Sequence, residues 1–136
     1  MIDVKEIKNV NPDILVAKVI IGDTVFFMIT VYVSTNDDMR NINIYNQLTK
    51  LLDTYQNEKL LIQGDFNGHT GIIGKQKLNK NGKKVLNLLE MFNLSMLNLD
   101  DRCVGEITWE QGNNNSVIDF VLVNEILYRL PIYLYR

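Results

Sequence analysis

Lys59-Leu60-Leu61-Ile62-Gln63-Gly64-Asp65-Phe66-Asn67-Gly68-His69-Thr70-Gly71 is the stretch from which the fold can be worked out. Its short apolar run, Leu60 to Ile62, is typical of a buried strand. Gly64 ends the run, and Asp65 and Asn67 follow at positions i and i+2, which leave a strand end on the same side. We therefore expect both polar side chains to point past the end of a sheet. A polar turn without function is the alternative, because Gly, Asp and Asn are common turn residues.

Composition narrows the class of protein. The chain has 136 residues, of which 46% are apolar and 22% charged, as in a single globular domain with its own core. The formal net charge of −2 excludes a global basic field, so any contact with nucleic acid must come from a local patch. The single cysteine excludes an internal disulfide. The apolar runs are too short to cross a bilayer and the N-terminus lacks the order of a signal peptide, so we expect an intracellular protein without membrane association.

Four segments are predicted to be strands of one mixed sheet. Ile14–Ile21 and Val25–Val33 should form an antiparallel hairpin, and Leu60–Gly64 and Ser116–Val123 should lie beside it. Val25–Val33 is almost continuously apolar, which predicts that both of its faces are covered. Helical patterns between the strands predict an α/β fold with helices outside the sheet.

Two helices are predicted. The first should begin after Asp37 or Asp38, either of which can cap it, and its apolar stripe comprises Ile42, Tyr45, Leu48, Leu52 and Tyr55. The second should cover Val85 to Phe92, with Asn93 as a left-handed stop residue. The chain after Asn124 is predicted to form a brief helical turn and an apolar tail.

A lysine-rich stretch precedes the second helix. Residues Lys75–Lys84 contain five lysines and no acidic residue, and a polar loop is predicted there. A solvated surface loop is the favoured interpretation. A phosphate-binding edge beside Asp65 is the alternative.

Asp119 is the second acidic residue that needs an explanation. It is predicted to lie in the middle of the strand Ser116–Val123, with Val117 and Val121 as neighbours on its face. A carboxylate inside an apolar strand is costly unless it is paired or hydrogen-bonded. Asp119 is therefore either a functional or paired acid, or an outward-facing residue on a half-solvated strand. With Asp65 it could form a pair of strand-borne carboxylates, which suits divalent metal and phosphate chemistry.

The order of these motifs resembles the endonuclease/exonuclease/phosphatase superfamily, and within it the reverse transcriptase-associated endonuclease domains of non-LTR retrotransposons. The resemblance covers nearly the whole chain. It rests on Thr30–Ser34, Gly64–Gly71, Asn81–Lys83, Ile107–Trp109 and Ser116–Val121. Ser34 stands where that family normally has a proline.

The resemblance implies a DNase I-like fold, which is a four-layer α/β sandwich, and phosphodiester hydrolysis with Mg²⁺ or Mn²⁺, with DNA as the ancestral substrate. It implies that Asp65 binds the metal and orients the attacking water, and that Asn67 contacts the phosphate or that water. It further implies that Tyr32 donates its phenol to the phosphate and that Asp119 pairs with a histidine. Trp109 would stack on a base or sugar. Core positions for Tyr32 and Trp109 are the alternatives.

The same resemblance implies that residues 1–136 form a single partial domain. The family has an upstream metal-binding glutamate and a closing Ser-Asp-His motif, and this sequence matches neither; its one histidine is His69. We therefore expect little nuclease activity from this polypeptide alone. The competing functions are an inactive or partner-binding remnant, and a phosphatase acting on lipid or inositol phosphates; the retrotransposon-like loop after Asn67 argues against the phosphatase.

Overall fold

The computed structural model describes residues 1–9, 11–104, 107–129 and 134–135. Its main element is a six-stranded sheet with the spatial order β1-β2-β3-β4-β9-β5. The strands of this sheet are β1 (Ile2–Ile7), β2 (Ile14–Ile21), β3 (Thr24–Tyr32), β4 (Leu60–Asp65), β5 (Ser95–Met96) and β9 (Asp119–Val123). The two long helices are α1 (Asp38–Tyr55) and α2 (Lys80–Phe92).

Strand directions make the sheet mixed. The first three strands form an antiparallel meander, and β3 and β4 are parallel because α1 connects them. Strand β9 then pairs antiparallel with β4 on its other side, and β5 pairs with β9 at the edge. The C-terminal ends of β3 and β4 and the N-terminal end of β9 therefore meet at one end of the sheet.

Shorter strands and helical turns complete the described part of the chain. Strands β7 (Trp109–Gln111) and β8 (Asn114–Ser116) form a hairpin, and β6 (Cys103–Val104) pairs in parallel with β10 (Leu134–Tyr135). A 3₁₀ turn follows β5, and the short helix α3 (Glu125–Tyr128) follows β9. Within the described residues, no helix is both long and apolar enough to cross a membrane.

One face of the sheet is covered by α1 and α2, and we call it the helix-covered face. Its core is a single cluster of side chains from both helices and from alternate residues of the strands. The fully buried members include Val16, Ile29, Ile44, Leu48, Leu52, Leu60, Ile62, Phe66, Val85, Phe120 and Leu122. Burying a large apolar side chain contributes about 1.5–3 kcal/mol, so this cluster supplies most of the stabilisation of the fold.

The opposite face, which we call the open face, is only partly covered. Leu61, Leu97, Val123 and Leu127 form a small buried cluster there, and Phe26, Met28 and Val121 pack against it while remaining half-buried. Val4 and Leu15 are exposed. The sheet thus presents apolar side chains to solvent on the face without long helices.

The predicted mixed α/β architecture is confirmed, as are the capping of α1 by Asp37 and the left-handed Asn93 after α2. The prediction that both faces of Val25–Val33 are covered holds only in part, because on the open face Phe26 and Met28 stay half-buried and Tyr32 is exposed. The α1 stripe is also rotated: Ile42 is 46% exposed, and Asn41 and Ile44 are buried instead.

Two further boundaries differ from the predictions. The predicted strand Ser116–Val123 is divided, since Ser116 ends β8 and Asp119 begins β9. The predicted loop Lys75–Lys84 ends at Asn79, because Lys80 begins α2. Of the predicted apolar tail, residues 130–133 and 136 lie outside the described residues.

Candidate active site

Three of the predicted site residues lie side by side across neighbouring strands. Tyr32 of β3 is in register with Asp65 of β4, and Asp65 is in register with Asp119 of β9. Directly opposed residues of an antiparallel pair, such as Asp65 and Asp119, have Cβ atoms about 4.5–5.5 Å apart on the same face. We call this end of the open face the Asp65 edge.

The alternation of side chains explains why these three residues share the open face. Their neighbours Val31 and Phe120 are buried in the helix-covered core, so Tyr32 and Asp119 must face the other way. Phe66 likewise turns into the core after Asp65, and its ring centre lies 5.9 Å from that of Phe120. The aromatic residues therefore fix the orientation of the acids that precede them.

Gly64 allows β3 and β4 to approach closely just before Asp65. Its φ is 147°, and a Cβ atom at this position would lie 1.9 Å from the carbonyl oxygen of Val31. No L side chain fits there without moving the backbone. Gly64 is thus required by the geometry that positions Asp65.

Asp65 begins a tight turn that Asn67 completes. The amide of Asn67 donates to Oδ1 of Asp65 at 2.9 Å, and Nδ2 of Asn67 donates to the carbonyl oxygen of Val33 at 2.6 Å. Asn67 has a φ of 44°, a left-handed conformation that asparagine tolerates better than most residues. The turn therefore holds one oxygen of Asp65 and ties the Asn67 carboxamide to the end of β3.

A buried asparagine pair supports this turn from behind, and sequence reasoning missed it. Nδ2 of Asn81 donates to the carbonyl oxygens of Ser34 and Asn67, both at 3.1 Å. Asn41 both donates to and accepts from the backbone of Ser34 at 2.9 Å. The signal was present, because Asn41 and Asn81 stand at the spacing of the buried apolar stripes of their helices.

The loop after Asn67 packs tightly on the N-terminus of α2. A Cβ atom on Gly82 would lie 1.9 Å from the carbonyl oxygen of His69, and one on Gly68 would lie 2.7 Å from the amide of Gly82. Oδ1 of Asn79 accepts from the amides of His69 and Gly82. His69 thus helps to join the turn to α2. These contacts connect it to Asn79 and Gly82 and not to Asp65 or Asp119.

Thr108 and Asn98 hold Asp119 through its backbone. Oγ1 of Thr108 accepts from the amides of Ile118 and Asp119 at 3.0 and 3.1 Å. Nδ2 of Asn98 donates to the carbonyl oxygen of Asp119 at 3.0 Å. Trp109 follows Thr108 on the β7–β8 hairpin, where it is 39% exposed and not in the core. The functions of Thr108 and Asn98 in placing Asp119 were also missed, although Thr108 belongs to a motif that the resemblance singled out.

The environment of Asp65 shifts its pKa. Partial burial raises the pKa of Asp65 above its ordinary value, the negative charge of Asp119 raises it further, and the hydrogen bond from the Asn67 amide opposes both effects. The Arg40 guanidinium lies 5.4 Å from the centre of the Tyr32 ring, while its Nε donates to Asp13 at 2.8 Å. The Asp65 edge is therefore acidic, with one paired cation beside Tyr32.

A groove of about 440 Å³ extends from Asp119 over the open face. Its lining combines polar groups of the strands with the residues around Thr108, namely Thr30, Gln63, Gly64, Ile107, Thr108, Asp119, Phe120 and Val121. Among the described residues, no group of three or more His, Cys, Asp or Glu side chains could enclose a metal ion. Asp119 thus lines the groove, and Asp65 lies beside it in register on the neighbouring strand.

The mixed sheet and its flanking helices define the class as DNase I-like, the fold of the endonuclease/exonuclease/phosphatase superfamily. A family model described as endonuclease-reverse transcriptase matches residues 26–130. The chain belongs to this family, and the resemblance to retrotransposon endonucleases is confirmed. No curated protein matches the chain.

Solved structures with the same fold are distant in sequence. The endonuclease domain of TRAS1, a telomere-specific non-LTR retrotransposon, is 17% identical with a TM-score of 0.71, and the match covers 93% of this chain and 57% of that domain. TDP2 from D. rerio, complexed with a single-strand DNA product, is 14% identical with a TM-score of 0.53, covering 96% and 57%. An endonuclease/exonuclease/phosphatase family protein from Bacteroides thetaiotaomicron is 10% identical with a TM-score of 0.53, covering 82% and 41%. The chain thus spans between two fifths and three fifths of these structures.

Proposed function

We propose that the chain is part of an endonuclease domain of the retrotransposon type, which hydrolyses DNA phosphodiester bonds with Mg²⁺ or Mn²⁺. The observation that supports this most strongly is the register that sets Tyr32, Asp65 and Asp119 side by side on the open face. Membership of the endonuclease-reverse transcriptase family supports the same reaction class.

The donor atoms at the Asp65 edge fit a hard divalent cation. Mg²⁺ binds through one or two carboxylates, substrate phosphates and several waters, so the neighbouring carboxylates of Asp65 and Asp119 suit it. Burial and, to a lesser extent, the negative charge of Asp119 raise the pKa of Asp65, and a bound cation would offset the repulsion between the two carboxylates. We assign Asp65 as the metal ligand, with Asp119 as the second anionic group. A bound ion would neutralise charge that develops on the phosphate and the leaving oxygen.

Each remaining side chain has a proposed task in the reaction. Asp65 holds and polarises the attacking water, and Asn67 donates a hydrogen bond to a phosphate oxygen without repelling the anion. One Nδ2 hydrogen of Asn67 is already used by Val33, so only the other is available to the phosphate. Tyr32 donates its exposed phenol to the phosphate, and Trp109 stacks on a base or sugar. Asp119 would orient the histidine that the family places beside it.

DNA is the proposed substrate because two of the structural relatives are linked to DNA by their names. TRAS1 is a retrotransposon whose endonuclease domain has this fold, and the D. rerio TDP2 structure contains a single-strand DNA product. The fold alone would also suit a phosphatase, since folds host many functions. The retrotransposon-like loop after Asn67 and membership of the endonuclease-reverse transcriptase family favour a nuclease.

We further propose that residues 1–136 are a partial domain with little activity of their own. The match to the TRAS1 domain covers 57% of that domain, and the described residues offer no third acidic ligand at the Asp65 edge. Groups that act as one catalytic unit are strongly non-additive, so an incomplete set can leave almost no rate enhancement. An inactive, partner-binding remnant is the second candidate, and the apolar open face favours it.

Plasmid nicking tests the proposal. Supercoiled plasmid would be incubated with the 136-residue protein and with its Asp65→Ala variant, in Mg²⁺, in Mn²⁺ and in EDTA, beside a chromogenic phosphomonoester. We expect at most weak nicking, which requires metal and is lost in Asp65→Ala, and no phosphomonoester hydrolysis. An Asp53→Ala variant, which changes an exposed acid of α1, is the control.

Three results would contradict parts of this proposal. Nicking that persists in EDTA or in Asp65→Ala would exclude Asp65 as the centre of the reaction. Asp65-dependent hydrolysis of the phosphomonoester with intact plasmid would favour a phosphatase. Robust metal-dependent nicking that Asp65→Ala abolishes would show that the chain is sufficient for activity.

A further inference from the structure

The positive charge of the chain is unevenly distributed. Five of its lysines lie in the ten residues 75–84, which we call the basic segment, and residues 66–89 contain no Asp or Glu. The chain as a whole has a net charge of −2, so the charge of the basic segment is opposite in sign to the net charge of the chain. Such a local concentration of charge needs a structural or a functional explanation.

Helix stability does not explain why lysines are concentrated in the basic segment. Lys80, Lys83 and Lys84 lie in the first two turns of α2, and the first turn has no acidic residue. The helix macrodipole disfavours cations at this end and favours anions, by about 0.3–1 kcal/mol for each charge. The lysines are thus placed where an external anion would be stabilised and where the helix itself gains nothing from them.

Internal ion pairs account for only part of the positive charge of the basic segment. Lys80 pairs with Asp38 at 2.8 Å, and Nζ of Lys84 lies 5.2 Å from the centre of the Tyr45 ring. Lys75, Lys77 and Lys83 are exposed, and within the described part of the chain no salt bridge involves them. Three positive charges therefore face solvent without an acidic partner from these residues.

The basic segment directly contacts the turn and loop that follow Asp65. Asn81 donates to the carbonyl oxygen of Asn67, and Gly82 packs against His69. At its other end, Nε2 of Gln76, which lies between Lys75 and Lys77, donates to the carbonyl oxygen of Asn115 on β8 at 2.8 Å. The segment thus extends from the turn after the proposed metal ligand to the hairpin that includes Trp109.

We propose that the basic segment binds the phosphate backbone of a DNA strand whose scissile phosphate lies at the Asp65 edge. This inference rests on the proposed function and specifies how its substrate is held. Lys75, Lys77 and Lys83 neutralise phosphates on the flanking nucleotides, and the N-terminus of α2 adds a favourable field. Contacts of this kind depend on charge and give no sequence preference.

Binding measured without turnover tests the inference separately from catalysis. Fluorescence anisotropy of a labelled DNA duplex would be recorded in EDTA over a series of salt concentrations. The variant Lys75→Gln/Lys77→Gln/Lys83→Gln is compared with Lys5→Gln/Lys8→Gln/Lys50→Gln, which removes the same charge from exposed positions on β1, the following loop and α1. Circular dichroism checks that both variants fold.

The expected result is a selective change in the basic-segment variant. Its affinity at low salt should fall at least tenfold, and the slope of log K against log salt should become shallower by about 2 to 3, since each phosphate contact contributes about 0.9. The control variant should stay within about twofold of the unsubstituted protein by the same relation.

Equal effects of the two variants, or no effect of either, would overturn the inference. So would binding of the unsubstituted protein to phosphatidylserine vesicles but not to DNA, because it would identify a membrane surface as the partner. Loss of metal-dependent chemistry in Asp65→Ala with unchanged DNA binding in the basic-segment variant would overturn this inference and leave the proposed function intact.

Discussion

The two faces of the sheet are built from the same strands but differ in what they contribute. On the helix-covered face, Ile62, Phe66 and Phe120 are fully buried beneath the two long helices. On the open face, Gln63, Asp65 and Asp119 are half-buried and line or adjoin a groove. Alternation along each strand therefore places packing on one side and the proposed chemistry on the other. We therefore expect substitutions on the helix-covered face to change stability more than substitutions on the open face.

Truncation of Phe66 should give the largest effect on stability. Phe66→Ala removes a fully buried ring beside Asp65, and we expect the free energy of unfolding to fall by about 3–5 kcal/mol. Urea denaturation followed by circular dichroism measures this change. A loss below about 1 kcal/mol would show that the helix-covered face does not dominate stability.

Loss of the Asn81 carboxamide should be the next largest effect. Asn81→Ala leaves the buried carbonyl oxygens of Ser34 and Asn67 without this donor, which costs about 1–3 kcal/mol. Asn46→Ala, at an exposed position of α1, is the matched control and should change stability by less than about 0.5 kcal/mol. Equal effects of the two changes would argue against the asparagine pair as a support of the turn.

A single type of substitution compares the faces directly. Val16→Thr places a hydroxyl group in the helix-covered core and should cost about 1–3 kcal/mol. Val121→Thr places it on the half-exposed open face and should cost less than about 0.5 kcal/mol. The same urea measurement applies to both variants, and similar costs would mean that the open face is packed as fully as the other.

The smallest expected effect concerns pH. Because folding raises the pKa of Asp65, the folded state binds more protons than the unfolded state above the ordinary aspartate range. The favourable contribution of Asp65 to the free energy of unfolding is therefore present at low pH, and it is lost as pH rises through the raised pKa of Asp65. Asp65→Asn cannot titrate and should not show this loss. The free energy of unfolding of Asp65→Asn, minus that of the unsubstituted protein, should therefore increase from about pH 4 to about pH 7. A difference that stays constant over this range would contradict the pKa direction.

The strands were the most predictable part of the fold. The apolar runs of β3 and β4, and the Gly64-Asp65-Phe66-Asn67 turn, follow from local patterns that tertiary contacts reinforce. The cover on each face could not be predicted, because a continuous apolar run such as Val25–Val33 is equally compatible with one or two covered sides. Asp119 was expected in mid-strand, but Thr108 accepts from its amide and so ends the preceding segment just before it.

The polar supports of the site were the least predictable part. Asn41 and Asn81 are buried because they bond to backbone atoms of Ser34 and Asn67, which are distant in the sequence. Helical periodicity alone placed Ile42 in the stripe, whereas the hydrogen bonds of Asn41 rotate α1 so that Ile42 faces solvent. The first turn of α2 was missed for a similar reason, since Asn79 caps it through the amide of Gly82 amid polar residues.

Paramagnetic broadening by Mn²⁺ tests the central claim, that Asp65 is the metal ligand of a site on the open face. Amide resonances of the folded protein would be followed as Mn²⁺ is added, for the unsubstituted chain, for Asp65→Asn and for the control Asp53→Asn. We predict weak binding that first broadens the amides of residues 64–67 and 118–120, unchanged in Asp53→Asn and lost in Asp65→Asn. Broadening centred on another part of the chain, or persisting at residues 64–67 in Asp65→Asn, would contradict the assignment.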